Sequence, residues 1–174
     1  MKHFLVVVDI QNDFVDAALG TSEAVGIIPA AADKIKNFIG EIFVTFDTHF
    51  ENYLETNEGK NLPVKHCIKG TKGWDLNPEI EKALSGKEYT AVEKLTFGST
   101  ELPRLIKAAA NGEDFDITLI GLCTDICVVS NALILKANFP EKEIIVDKSC
   151  CAGVTVDSHN AALITMQMCQ IKIC

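Results

Sequence analysis

The stretch GLCTDICVVS, residues 121–130, carries Cys123 and Cys127 four positions apart around Asp125. It follows the apolar run ITLIGL and leads into NALILKANF, whose spacing is helical. Such a pair admits a metal clip, a redox couple, a buried helix cysteine or a nucleophile. A redox CxxC pair is excluded, because the spacing is CxxxC. A zinc clip is disfavoured, since no second cysteine pair of ligand spacing accompanies this one. From spacing alone the nucleophile and the buried cysteine stand about level. Cys127 is the better nucleophile of the two. It falls in the first turn of the expected helix, where unpaired N–H groups and the macrodipole favour a thiolate. The backbone N–H groups of Cys123 and Cys127 together are suited to bind a developing oxyanion. Asp125 reads as a first-turn acid that complements the dipole without a catalytic part.

Two more reactive groups end strand-like runs. Asp9 closes HFLVVVDI and Lys94 closes EYTAVEK. An acid, a lysine and a thiol on adjacent strand ends suit covalent catalysis. Singly, Asp9 reads as a loop cap and Lys94 as the ion-pair partner of Glu93; three coincident strand ends favour the joint reading. Beyond them, Asp47 and His49 flank one residue, His66 follows, and Glu51, Glu55 and Glu58 lie between the histidines. An Asp, two His and a Glu suit a divalent transition metal with water completing its shell. The plainer alternative is a set of loop residues hydrogen-bonded at the surface. His3 and His159 lack such company and read as structural or surface residues.

These groups need a scaffold, and the remaining runs describe one. EIFVTFDTH, FDITLIGL, KEIIVDK and CQIKIC have strand length, as do the two runs already named. PAAADKIKNFIG, with Pro29 near its start, STELPRLIKAAANG, TDICVVSNALILKANF and TVDSHNAALITMQM have helical spacing. Strands apolar throughout and alternating with helices predict an α/β fold with a parallel sheet covered on both faces. Gly40 and Gly112 sit where helix ends are expected. Residues 48–80 are polar and form a long exception. They leave the C-terminal end of the second strand, the edge where open α/β sheets bind ligands, and are expected to wall or cover a site.

The 174 residues fit one domain spanning 1–174. A formal charge of −8 argues against nucleic-acid or anionic-membrane partners. No apolar run reaches the roughly 18 residues of a membrane span. The N-terminal run turns acidic too soon for a signal peptide, so a cytoplasmic location is expected. Seven cysteines is an odd number with no disulfide spacing; Cys67, Cys150, Cys151, Cys169 and Cys174 read as reduced thiols.

VVVDIQNDF, DTH, HCIKGTKG, the EK before FGST, and GLCTDICV occur in this order over most of the chain. Together they resemble the isochorismatase-like cysteine hydrolase superfamily, and within it the nicotinamidases most. The resemblance implies a three-layer α/β/α fold around a six-stranded parallel sheet. It implies a catalytic triad of Asp9, Lys94 and Cys127. It also implies a cis peptide between Leu122 and Cys123, aiming the oxyanion-hole amides of Cys123 and Cys127. A metal, zinc, manganese or iron, is expected on Asp47, His49, His66 and a fourth ligand, Glu58, with Glu55 as the fallback. The implied reaction is hydrolysis of a small carboxamide such as nicotinamide through a Cys127 thioester. Assembly as a homodimer or homotetramer is also implied. Phe14 matches a pocket-lining position. The chain departs from nicotinamidases in NLPVKHC, which has no aromatic residue before the metal histidine, and Trp74 is the candidate to supply the missing ring. EKLTFGST also lacks the tyrosines some nicotinamidases carry. The alternatives are a related hydrolase of N-carbamoyl or ureido compounds and a catalytically silent binding subunit. The intact Asp9, Lys94 and Cys127 set argues against the silent subunit.

Overall fold

The computed structural model describes all 174 residues. Six parallel strands form one sheet: β1 (Lys2–Val8), β2 (Glu41–Asp47), β3 (Tyr89–Lys94), β4 (Phe115–Leu122), β5 (Glu143–Ala152) and β6 (Lys172–Ile173). Their order is β3-β2-β1-β4-β5-β6. The chain winds outward from β1 to one edge, then returns across β1 to build the other half. The reversal leaves a crevice between β1 and β4 at the C-terminal ends of the strands.

Seven helices complete the layers: α1 (Asn12–Val15), α2 (Ser22–Asn37), α3 (Asn57–Asn61), α4 (Pro78–Leu84), α5 (Leu102–Ala110), α6 (Val129–Asn138) and α7 (Val156–Met168). The FLVVV run explains why β1 is central. All five of its residues are fully buried. Leu5 and Val7 pack into a core shared with α2 and α4, while Phe4, Val6 and Val8 pack into a second core with α5, α6 and α7. Each such side chain contributes about 1.5–3 kcal/mol on full burial, so a polar residue at any of the five positions would break a core. The sheet is thus the middle of three layers, as the resemblance implied.

Three elements differ from the sequence expectation. Helix α2 starts at Ser22, well before Pro29, because Thr21 caps it by accepting from the Ala24 N–H. Pro29 therefore lies inside the helix, on its exposed side, where the carbonyl left without a backbone donor is not sealed in the core. Strand β6 is only two residues long, since α7 runs on to Met168 and Gln170 takes a positive φ. Residues 48–80 are not bare loop. They hold a 3₁₀ turn at Tyr53–Glu55 and helix α3, whose cap Thr56 accepts from the Gly59 N–H, and they lead into α4. No helix is long and apolar enough to cross a membrane.

Candidate active site

Asp9, Lys94 and Cys127 meet at the C-terminal rim of the sheet, one from the end of each of β1 and β3 and one from the turn after β4. Asp9 leaves β1 in a left-handed conformation, φ 47°, which turns its side chain back over the sheet. Its Oδ1 accepts from the Thr45 hydroxyl at 2.6 Å. Lys94 is paired with Asp47 by the β2–β3 register. Its ammonium lies 2.6 Å from Asp9 Oδ2 in a buried ion pair, and within reach of Asp47 Oδ1 (3.2 Å), Thr96 O (3.1 Å) and Cys127 Sγ (3.6 Å). A carboxylate oxygen has two lone pairs, so Oδ2 facing Lys94 keeps one to take a proton.

The electrostatics follow from burial. Asp9 is fully buried and Lys94 nearly so. Burial pushes the Asp9 carboxyl above the usual range, and the Lys94 charge offsets only part of the rise. Burial likewise opposes the Lys94 charge, but the Asp9 and Asp47 carboxylates hold it protonated. The Cys127 thiol is pushed well above its ordinary value, by burial first and the Asp9 charge second. The helix-dipole expectation of a resting thiolate is therefore corrected. Cys127 does lie in the first turn, a π-helical one at Thr124–Val128 that runs straight into α6, but desolvation outweighs the dipole there. At rest this is a neutral thiol that needs a base.

The turn that carries Cys127 depends on Gly121. With φ 121°, a Cβ there would lie 2.1 Å from Val8 O, so only glycine lets β1 and β4 close at this point. The next peptide, Leu122–Cys123, is cis, as the resemblance implied. Asp125 accepts the Val154 N–H on both carboxylate oxygens, at 3.1 and 3.2 Å, and so pins the loop after β5 against the site. His159 meets Thr124 at 2.8 Å, and His3, at the surface, meets Asp116 at 2.9 Å; neither belongs to the triad or the four-ligand cluster.

Asp47, His49, Glu58 and His66 converge beside the triad, with one ligand atom of each within 4.8 Å of the others. Glu58, not Glu55, completes the set. Asp47 Oδ2 lies 2.9 Å from His49 Nε2 and 3.6 Å from His66 Nε2. Glu58 Oε1 lies 3.4 and 3.7 Å from the same two nitrogens. A tetrahedral ion with ligands at about 2.0–2.1 Å sets its donors roughly 3.3 Å apart, which these separations bracket. His66 spends its Nδ1 on the Val64 carbonyl at 2.8 Å, leaving Nε2 facing the cluster. His49 Nε2 is buried without a hydrogen-bond partner, although two carboxylates flank it. An orphan nitrogen aimed at a common point among carboxylates fits a divalent cation better than a hydrogen-bonded network.

Asp47 belongs to both clusters. Its Oδ1 faces Lys94 and its Oδ2 faces the histidines. Burial alone would raise its carboxyl, but the adjacent His49 and His66 imidazoles and the Lys94 charge hold it well below the ordinary range. For His49 burial opposes the charge, while Asp47 and Glu58 outweigh it and lift the imidazole to about 9.

The DIQNDF motif does more than end in the proton acceptor. Gln11 brackets the Asp47 backbone, accepting its N–H at 2.8 Å and donating to its carbonyl at 2.9 Å. Asn12 donates to Lys72 O, and Asp13 accepts the Cys67 N–H at 2.7 Å beside His66. Tyr53, fully buried, stacks edge-on against both His49 and His66 and donates to Leu62 O. These four supports were not anticipated. Gln11, Asn12 and Asp13 lie in the most specific motif of the chain, which was the available signal; Tyr53 had none.

A cavity of about 320 Å³ opens onto Cys127 on one side and onto Asp47, Glu58 and His66 on the other. Its remaining walls are apolar and include Phe14, Leu62 and Phe97. Trp74, expected to supply a ring, does not line it. The indole packs on Phe46 and donates to Thr48 at 2.9 Å, which holds it behind the strand end. Phe97, from the segment after β3, supplies an aromatic wall instead.

The chain matches the isochorismatase domain over residues 3–174. It is 31% identical to the "uncharacterized isochorismatase family protein PncA" of Bacillus subtilis (strain 168), with 94% of this chain and 93% of the relative covered. Among solved structures it resembles a pyrazinamidase/nicotinamidase from Streptococcus mutans, at 28% identity and TM-score 0.83 over 99% of this chain and 100% of the other. It also shares its fold with a pyrazinamidase of Pyrococcus horikoshii in complex with zinc, at 23% identity and TM-score 0.84 over 100% and 99% of the two chains. A domain match over almost the whole chain, joined to that sequence identity, makes this protein a member of the isochorismatase family of hydrolases.

Proposed function

We propose that the protein is a metal-assisted cysteine amidohydrolase that cleaves nicotinamide, or a close neutral aromatic carboxamide, to the acid and ammonia. The observation that carries the reading is a shared cavity. The Cys127 thiol, with Lys94 and Asp9 behind it, lies on one wall, and Asp47, Glu58 and His66 of the four-ligand cluster lie on another. The nicotinamidase and pyrazinamidase structures of similar fold support the substrate class.

In the proposed reaction, Asp9 Oδ2 takes the Cys127 proton, and Lys94, donating to Sγ, steadies the thiolate. The sulfur attacks the carboxamide carbon. The backbone amides of Cys123 and Cys127 bind the oxyanion. Protonated Asp9 returns its proton to the departing nitrogen, which leaves as ammonia, and a thioester remains on Cys127. Asp9 then takes a proton from the water that attacks the thioester carbon, so acid and thiol are released and the carboxylate is restored. A divalent cation held by Asp47, His49, Glu58 and His66 would act as a Lewis acid toward a ring nitrogen at the far end of the cavity.

The cavity wall bears on the ureido alternative. N-carbamoyl amino acids carry a carboxylate that a site would meet with a cation. No lysine or arginine lines this cavity, and the charges of Lys94 and of a divalent cation in the cluster would be balanced by Asp9, Asp47 and Glu58. A neutral ring suits these walls better. The test is ammonia release by purified protein loaded with zinc or manganese, from nicotinamide and from an N-carbamoyl amino acid. Release from nicotinamide alone is expected; release from the N-carbamoyl compound alone would overturn the substrate class.

A further inference from the structure

Asp9 can work as base and acid only if one carboxylate oxygen stays aimed at the thiol while the group titrates within reach of neutral pH. Nothing on its own strand secures that. β1 ends at Val8, Asp9 takes a left-handed backbone conformation, and the residue is fully buried. The restraint comes from the neighbouring strand. Thr45 receives the Asp9 N–H on its carbonyl at 3.3 Å and gives its hydroxyl proton to Asp9 Oδ1 at 2.6 Å. Thr45 is itself fully buried, and no other hydrogen bond reaches its hydroxyl. The arrangement is reciprocal, for Gln11 crosses the other way from β1 to bracket Asp47 on β2.

We infer that Thr45 is a positioning residue for the reaction: its hydroxyl occupies Asp9 Oδ1, leaving Oδ2 as the one oxygen available to exchange a proton with Cys127. The inference rests on the proposed thiol–carboxylate mechanism, though not on the identity of the substrate. The geometry carries a chemical consequence. A buried carboxylate that accepts a hydroxyl proton is stabilised in its ionised form, so Thr45 opposes the upward push of burial on Asp9. The groups bearing on Asp9 are Lys94 from β3, Asp47 from β2, Cys67 from the long segment, and Cys123 and Cys127 from the turn after β4. Lys94 also lowers the Asp9 carboxyl, Asp47 raises it, and the three thiols are uncharged at neutral pH because burial raises each of them. Removing the hydroxyl changes none of these, which makes its effect separable.

The experiment is the pH profile of Cys127 alkylation by iodoacetamide, followed by peptide mass spectrometry in the metal-loaded protein. It is run for the wild type, Thr45→Val and Thr45→Ser, with thermal unfolding as a check on folding. Valine keeps the shape and loses the donor; serine keeps the donor. In Thr45→Val the acid limb should move up by about one pH unit, the worth of a hydrogen bond to a charged group. In Thr45→Ser it should stay near the wild-type position. An unmoved limb in folded Thr45→Val would overturn the inference, and so would an equal shift in both variants, which would trace the effect to packing. If valine at this position prevents folding, the serine profile decides, since the inference requires it to match the wild type. Alkylation needs no substrate, so failure to cleave nicotinamide would count against the proposed function and leave this result standing.

Discussion

The triad and the four-ligand cluster share Asp47 and are otherwise built on different principles. Asp9, Lys94 and Cys127 stand at the ends of β1 and β3 and in the turn after β4, so their spacing is set by the register of hydrogen-bonded strands. Three of the four ligands, His49, Glu58 and His66, ride on the long segment after β2. That segment holds its place through side chains: Asn12 and Asp13 grip its backbone, and Tyr53 supports both histidines. Burial differs at one ligand: the triad side chains, Asp47 and both histidines are closed off almost completely, whereas the Glu58 side chain keeps 18% of its surface exposed. One half of the site is therefore as rigid as the sheet, and the other is as rigid as a few anchoring hydrogen bonds.

That contrast can be broken or sharpened by measurement. The largest effect is expected at the nucleophile. Cys127→Ala should lower amide turnover by about four orders of magnitude or more while leaving metal content and folding unchanged, read from ammonia release and elemental analysis. An intermediate effect is expected at an anchor. Asp13→Ala, which frees the Cys67 N–H beside His66, should weaken metal binding by about 10- to 100-fold and change the Cys127 alkylation rate less than about twofold. Equal losses in both readouts would mean that the two halves do not respond separately. The metal half should also depend on pH. His49, held to about 9 in the metal-free protein, must lose a proton before it can bind a cation. Metal affinity should then fall by about tenfold per pH unit below that value, and a competition titration with a chromophoric chelator at two pH values checks the slope. The smallest effect is expected at Trp74. Trp74→Phe loses the hydrogen bond to Thr48 and touches no cavity wall, so the nicotinamide KM should change less than about twofold, while Phe97→Ala should raise it several-fold.

How much of this was legible in the sequence divides along the same line. The FLVVV run announces a strand buried on both faces, and the ends of such strands are predictable to a residue or two, so Asp9, Lys94 and Cys127 could be picked before any coordinates. Asp47, His49 and His66 were legible from chemistry, as ligand types gathered around one strand end. Glu58 required the family resemblance, because three glutamates lie between the histidines and only the α3 turn decides which one faces inward. Trp74 was misjudged, and Phe97 went unnoticed, for a related reason. Which ring enters a cavity depends on how loops fold over it, and no local pattern encodes that packing. The thiol's resting state was misjudged too, since spacing implied a helix N-terminus but could not reveal the depth of burial that outweighs it. Pro29 misled on α2 because a proline near the start of a helical run is the commoner case, and the Thr21 cap was overlooked.

The central claim, that Cys127 carries the acyl group of a nicotinamide-like amide, is tested most directly by acid-quenching the metal-loaded enzyme during turnover and mapping the trapped adduct by mass spectrometry. The account predicts a nicotinoyl thioester on the peptide containing Cys127, absent from Cys127→Ala. Steady ammonia release with no acyl group on that peptide, or undiminished release by Cys127→Ala, would contradict it.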